Sequence, residues 1–433
     1  MGYPVITITK EEFNKETSEL TLFIKQQKFS ASYSSNSSSG PVWVVPISVS
    51  THLGKVTRHL FSESSGTLTF PYSESDDAFF KLNSDAYGFY RVNYSRSQIE
   101  RIGKAVEKST DLLTVKDRIE LVGDVFAIAK SGMGGTDVAL ELVRRMKHED
   151  DGIVLSEIEG NLALLQATFF HDKDITAKID ELTLSIFAPK VSTYGYDYDD
   201  DYLSAKKRTL VISSCASAGS KEYDLCFRYS LIQCRVIEEL KNRFQRYLNG
   251  DKAAINANLF NIVYTTILKT TQDPLKDFNL VLEIYKDPSI SLTEKMAALR
   301  SLGAVKDLKL VEGLLNELVL DFDLVKQQDI GYALVGVLSN EEKQKAMDLR
   351  WKWFTTNFDK ICSLLDPKEY PIGVMRSFIG SEYVDMIQAW MSYRVEKVKP
   401  RERDIKIALE TIRSRTAWYE RDRELVSKWF ALA

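Results

Sequence analysis

Hydrophobic and polar positions change their period once along this chain, near Tyr94. Up to that point apolar residues alternate with polar ones over short stretches, the pattern of half-buried strands whose successive side chains point to opposite faces. The stretches cover residues 5–9, 20–25, 42–50, 56–60, 67–70, 78–82 and 87–94. Short strands at such spacing, with turn material between them, predict a β-sandwich. In the last stretch Phe89, Arg91 and Asn93 fall on one side of an extended chain, and Tyr90, Val92 and Tyr94 on the other. Gly88 lacks a Cβ and can bulge or let a neighbour come close. Residues 30–40 are too polar to bury and read as a connecting loop.

After Tyr94 the apolar spacing becomes three and four. Thr114-Val115-Lys116-Asp117 has the form of a capping box; Ile119, Val122, Phe126 and Ala129 follow on one face, and Gly132 ends the helix. Ser291-Leu292-Thr293-Glu294 opens a second clear helix that stops at Gly303. Ile405, Ala408, Leu409 and Ile412 line one face near the end, and Trp418, Leu425, Trp429 and Phe430 make an apolar close. On the order of fifteen short helices with brief connections fit this region. Successive helices with one apolar face each tend to stack into a curved solenoid whose concave side binds. The expected fold class is α+β and multidomain: a small N-terminal β-sandwich over residues 1–96, then a large all-α, HEAT-like superhelical α-solenoid over 97–433.

Composition narrows the function classes. The 433 residues are 44% hydrophobic and 27% charged, ordinary for a globular chain, and the length suggests two or three domains. A net charge of -4 provides no broad basic surface, so nucleic acid is not an expected partner. No apolar run reaches a membrane-spanning length and the N-terminus lacks a secretory pattern, so the expected location is cytoplasmic, with no membrane partner. Cys215, Cys226, Cys234 and Cys362 are too few and too irregular for a disulfide framework or a zinc knuckle, and read as idle thiols.

The search for catalytic chemistry yields little. His148-Glu149 begins like a helical zinc-peptidase motif, but the residue four after His148 is Gly152, so the second imidazole is missing; the pair is expected at the surface. His52 and His59 would face opposite sides of a strand. Gly132-Met133-Gly134-Gly135 lacks the lysine of a phosphate loop. The run from Asp197 through Asp199, Asp200 and Asp201 places Tyr202 where a calcium loop needs glycine and Arg208 where it needs glutamate, so an exposed acidic loop is expected. The basic stretch from Arg394 to Lys406 carries both signs and reads as a solvated linker and helix start. No metal ligands and no catalytic residues are assigned.

Gly2-Tyr3-Pro4-Val5-Ile6-Thr7-Ile8, Gln26-Gln27-Lys28-Phe29, Trp43-Val44-Val45-Pro46-Ile47 and the 87–94 stretch, in this order and spacing, resemble the β-sandwich landmarks of M1-family zinc aminopeptidases. Asp117-Arg118 with Asp124 and Gly132, Glu294-Lys295 with Leu299, Gln328-Asp329, Trp353 with Asn357-Phe358-Asp359, and Trp418 with Trp429 resemble the C-terminal helical domain of that family. The resemblance implies a fragment of a longer enzyme whose HExxH zinc site, GAMEN motif and transition-state tyrosine lie in a catalytic domain that this sequence does not contain.

On that reading the chain has no cofactor of its own and is no enzyme by itself; zinc belongs to the parent's catalytic domain. The helical part would enclose the substrate cavity and shape peptide access, so the implied partners are peptides and the parent's catalytic domain. A peptide carboxylate calls for Arg or Lys. Arg208 and Arg300 are the candidates, each in a helical stretch otherwise committed to packing. Two other readings stand beside this one: an α-solenoid protein-interaction scaffold without a peptidase role, and an independent hydrolase with an unrecognised site.

Overall fold

A computed structural model describes residues 2–30, 40–54, 56–198, 201–218, 227–321 and 323–432, the side chains of 227–234, 318 and 369 aside. The chain divides into two compact units, one formed by residues 1–169 with 417–433 and the other by 170–416. Strands come first and helices after, so the α+β class holds. The change from strands to helices falls at Ser95, whereas the division into compact units falls after Phe169.

The first unit begins with seven strands, β1 (Pro4–Asn14), β2 (Glu19–Lys28), β3 (Val45–Thr51), β4 (Val56–Phe61), β5 (Ser65–Pro71), β6 (Phe80–Leu82) and β7 (Arg91–Asn93). They form one sheet in the order β5-β2-β1-β7 and a second in the order β4-β3-β6. All pairs are antiparallel except β1 with β7. Leu20, Leu22 and Ile24 of β2 point inward and meet Val45, Ile47 and Val49 of β3 in one buried cluster, so the two sheets share a core as a sandwich does. Each such side chain contributes about 1.5–3 kcal/mol through removal from water, which sets the period-two register.

The outline of β1 and β2 is longer than their apolar runs. Residues 10–14 pair with 19–23 at the far end of the hairpin, where Leu20 and Leu22 still face the core while Lys10, Glu12 and Asn14 are exposed. The 87–94 stretch is the main departure: only Arg91–Asn93 is strand, and residues 87–89 leave the sheet. The cause is local. Asn83, Asp85 and Ala86 all adopt positive φ, and the Asn83 side chain both accepts from the Gly88 amide at 2.7 Å and donates to its carbonyl at 2.9 Å. The Gly88 amide and carbonyl are thus taken up by one side chain and are not offered to a neighbouring strand. A Cβ on Gly88 would run into the Tyr90 ring, which fixes glycine there.

Four helices follow in this unit: α1 (Arg96–Lys108), α2 (Val115–Ser131), α3 (Thr136–Arg145) and α4 (Gly152–Thr168). Thr114 and Asp117 form the reciprocal capping box at the start of α2, and Gly132 ends it at φ 81°. Gly135 caps α3 without a side chain, and Asp422 of the long C-terminal helix Glu402–Leu432 supplies the missing acceptor to the Thr136 amide at 3.2 Å. Trp418 donates its indole N–H to Thr136 Oγ1 at 2.7 Å and packs edge-on to Phe169. The end of the chain is thereby built into the first unit.

The second unit is helical, with each helix packed mainly on near sequence neighbours. Ser291 caps Leu292–Leu302 as its sequence suggests, while Gly303 closes it at φ −67° and not in the left-handed region. That glycine serves close approach: a Cβ at Gly303 would strike the Val337 backbone, and one at Gly336 would strike the Arg300 carbonyl. Asn340 Nδ2 seals the crossing by donating to the Val305 carbonyl at 2.6 Å. The expected loop over residues 30–40 falls almost wholly outside the described residues. Among the described residues no helix is long and apolar enough to cross a membrane.

Candidate functional site

Buried charge gathers where the strands hand over to the helices. Lys81, in the apolar strand β6, is fully buried and its Nζ lies 2.9 Å from Asp117 and 2.6 Å from Glu120, both on α2. It also donates to the carbonyls of Leu82 and Asn83. One turn further along α2, Asp124 accepts from Arg91 at 2.7 Å and from the Val92 amide at 2.8 Å, tying β7 to the helix. Three carboxylates thus face two cations. Burial raises Glu120 to about 7 and Lys81 offsets only part of that; burial likewise raises Asp124 to about 6 against the pull of the Val92 amide and Arg91. This cluster binds elements together and leaves no side-chain space for a ligand: Asp117, Asp124 and Lys81 are all buried.

His148 lies at the surface, but Glu149 is buried. Its two oxygens take the Arg118 guanidinium at 2.6 and 3.1 Å, and the same carboxylate accepts the amides of Asp150 and Asp151. The expected surface pair is therefore half right: the glutamate is an anchor between α2 and the start of α4. Among the described residues no three His, Cys, Asp or Glu side chains come together to hold a metal ion, so the donor set that zinc needs is not assembled there.

In the second unit, a groove of about 530 Å³ runs between the helix Ser381–Ser392, the turn Val395–Val398 and the first part of Glu402–Leu432. Met391, Val398 and Leu409 give it an apolar floor. Its rim carries both signs, with Lys406 paired to Glu402 at 2.7 Å and Lys399 to Glu396 at 3.9 Å. Arg413, exposed on the same rim, has no carboxylate within 4.0 Å among the described residues. An apolar floor with one free guanidinium can take an extended peptide by its side chains and its carboxylate. The basic stretch expected to be a solvated linker thus forms one wall of this groove.

Arg208 is buried; its Nε donates to the Tyr194 carbonyl at 2.7 Å and its guanidinium lies over the Tyr198 ring. This is the setting of a packing residue and not of a ligand contact. Arg300 is exposed in the last turn of Leu292–Leu302. The two arginines sit on separate helices in opposite settings. In the acidic run, Asp197 accepts from Arg243 at 3.1 Å, while Asp199 and Asp200 lie outside the described residues. Cys215 is buried and free, with its thiol pushed up to about 12 by burial; Cys362 is half-buried and free. Cys226, and the Cys234 side chain, fall outside the described residues.

Sequence reasoning passed over the charged cluster, although a signal existed. Asp117, Glu120 and Asp124 recur at intervals of three and four, which places them on one helix face, and Lys81 interrupts an apolar strand. The groove offered no such signal, since its walls come from segments with unremarkable mixed charge.

Residues 79–414 match the family described as ERAP1-like C-terminal domain. The chain is 28% identical over 438 residues to an alanine/arginine aminopeptidase of Saccharomyces cerevisiae, covering 99% of this chain and 47% of that protein. It is 27% identical to aminopeptidase 2, mitochondrial, of the same organism and 25% identical to glutamyl aminopeptidase of Homo sapiens, covering 99% of this chain and 42% and 43% of those proteins. The chain spans less than half the length of the curated relatives it matches. It belongs to the ERAP1-like C-terminal domain family and corresponds to the C-terminal portion of an M1-family aminopeptidase.

Proposed function

We propose that the chain is the non-catalytic part of a zinc aminopeptidase-type protein, one that encloses the substrate cavity and governs which peptides reach the catalytic domain. The family match over residues 79–414 carries this reading, because every relative named above is an aminopeptidase more than twice as long as the matched stretch. The sequence supports it further: HExxH and GAMEN do not occur in it. Zinc would then be held by the catalytic domain and not by this chain, and the helical part would form a HEAT-like stack around the peptide. The helices' preference for near sequence neighbours supports such a stack.

Within that function, the Arg413 rim of the groove is the site best suited to a peptide's terminal carboxylate, and Arg300 is a second exposed candidate. A catalytic domain gains from such remote contacts because they position the substrate far from the reacting bond. Metal analysis and a fluorogenic aminopeptidase assay on the purified chain test the reading. The expected result is less than stoichiometric zinc and no amino-acid release; one tightly bound zinc per chain together with turnover would overturn it.

A further inference from the structure

A second, smaller cavity of about 170 Å³ opens in the second unit, where the helix Leu308–Gly313 and its continuation Leu314–Leu318 meet the helix Lys343–Thr356. It shares no residue with the groove at Arg413. Sites for drug-sized ligands run to about 300–1,000 Å³, so this one has the scale of a single amino acid and not of a peptide chain. Leu314–Leu318 is a π-helical turn, closed by the Val319 amide on the Leu314 carbonyl at 3.2 Å. Such turns are rare and occur often at functional sites. This one carries Leu315 and Asn316, which both line the cavity.

The lining combines an apolar wall with two opposite charges. Leu315, Leu349 and the Trp353 ring make the wall. Trp353 is only 3% exposed, and its indole N–H is buried with no acceptor among the described residues, a cost that the fold carries. Glu312 and Lys352, also in the lining, stand 3.7 Å apart, too far for a hydrogen bond. Their side chains are 47% and 72% exposed, so the pair is loose and open to a third group.

We propose that this cavity binds a free α-amino acid with an aliphatic side chain. Its ammonium pairs with Glu312, its carboxylate takes Lys352, the Asn316 amide and the Trp353 N–H, and its side chain lies against Leu315 and Leu349. A molecule that carries both charges replaces one long contact by two short ones. A carboxylic acid alone gains Lys352 but is repelled by Glu312, and an amine alone gains Glu312 but is repelled by Lys352. The proposal goes beyond the functional reading above and does not rest on it.

The test titrates the whole chain with leucine, with 4-methylpentanoic acid, which lacks the ammonium, and with 3-methylbutylamine, which lacks the carboxylate. Binding is followed by calorimetry and by ligand-observed nuclear magnetic resonance. Charges this exposed are screened, so the expected dissociation constant for leucine is millimolar and rises with salt. Both analogues should bind at least about tenfold more weakly, and so should leucine to the double variant Glu312→Gln with Lys352→Met, whose melting temperature stays unchanged because both side chains are open to solvent. No leucine binding by the wild type up to about 50 mM would overturn the proposal. Either analogue binding as tightly as leucine would overturn it too, on the wild type alone and without any variant. Leucine binding that the double variant retains would place the ligand elsewhere, with the same consequence.

Discussion

Replacement of Asp124 by alanine removes the buried carboxylate that holds β7 to α2. Its carboxylate is buried and takes both the Arg91 guanidinium at 2.7 Å and the Val92 amide at 2.8 Å. Alanine leaves a partly buried cation without its carboxylate and a buried amide without its acceptor. Breaking a buried pair from one side costs about 3–5 kcal/mol, and the stranded amide belongs to that penalty. The raised carboxylate value means that part of the pairing is already offset by desolvation, so the lower end, about 3 kcal/mol, is the working figure. Asp124→Asn keeps one acceptor oxygen, and its loss is smaller, about 1–2 kcal/mol. Native-state hydrogen exchange at Val92 and its strand neighbours reads this loss within the first unit alone, free of the melting of the second. Thermal denaturation follows it as a drop of roughly 10 °C in the first unit's transition. If Asp124→Ala exchanges and melts within about 0.5 kcal/mol of wild type, the range of a neutral surface change, the carboxylate does not anchor the strand and the reasoning fails.

Gly336→Ala places a methyl group on the Arg300 carbonyl and should destabilise the second unit by about 3 kcal/mol, whereas Gly331→Ala in the same helix meets nothing and should stabilise by about 0.5–1 kcal/mol in denaturant titrations. Thr136→Val strands the Trp418 indole N–H and one Asp422 contact in the core, with an expected loss of about 1–3 kcal/mol by thermal melting. Glu120 keeps its proton in the fold up to about 7 but gives it up near 4.5 when unfolded, so the folded chain binds more protons across that window and its stability falls as pH rises from 4.5 to 7. Glu120→Gln should flatten that slope in melting curves taken across the window; an unchanged slope would show that another group is responsible.

Strands such as β2 and β3 were legible because one face of each is buried and a period of two is forced by that burial. The capping box at Thr114 and the stop at Gly132 were legible because both satisfy orphan backbone groups with neighbours in sequence. What could not be read depends on contacts distant along the chain. Asp422 caps α3 from 286 positions away, and no local pattern announces that residues 417–433 complete the first unit. Glu149 looked like half of a surface motif because its partner, Arg118, sits 31 residues earlier. Arg208 read as a candidate for a peptide carboxylate for the same reason: the Tyr194 carbonyl that takes it comes from another helix.

The 87–94 stretch shows the limit most clearly, since its aromatic and β-branched residues favour a strand and half of it refuses one. Positive φ at Asn83, Asp85 and Ala86 costs about 1–2 kcal/mol per residue, or about 3–6 in all, with Asn and Asp at the low end because their side chains bond locally. Against this stand the two Asn83–Gly88 bonds, the Asp85 amide on Asp117 and the Lys81 ammonium on the Asn83 carbonyl. At about 1 kcal/mol for a neutral bond and 1.5–3 for a charged one, these contribute about 5–8 kcal/mol. The margin is small, so the loop's shape depends on all of its anchors together, and two of those anchors come from a buried lysine and a carboxylate on α2. Local preference therefore decides Arg91–Asn93, where the sheet agrees with it, and the charged cluster decides residues 83–89, where it does not.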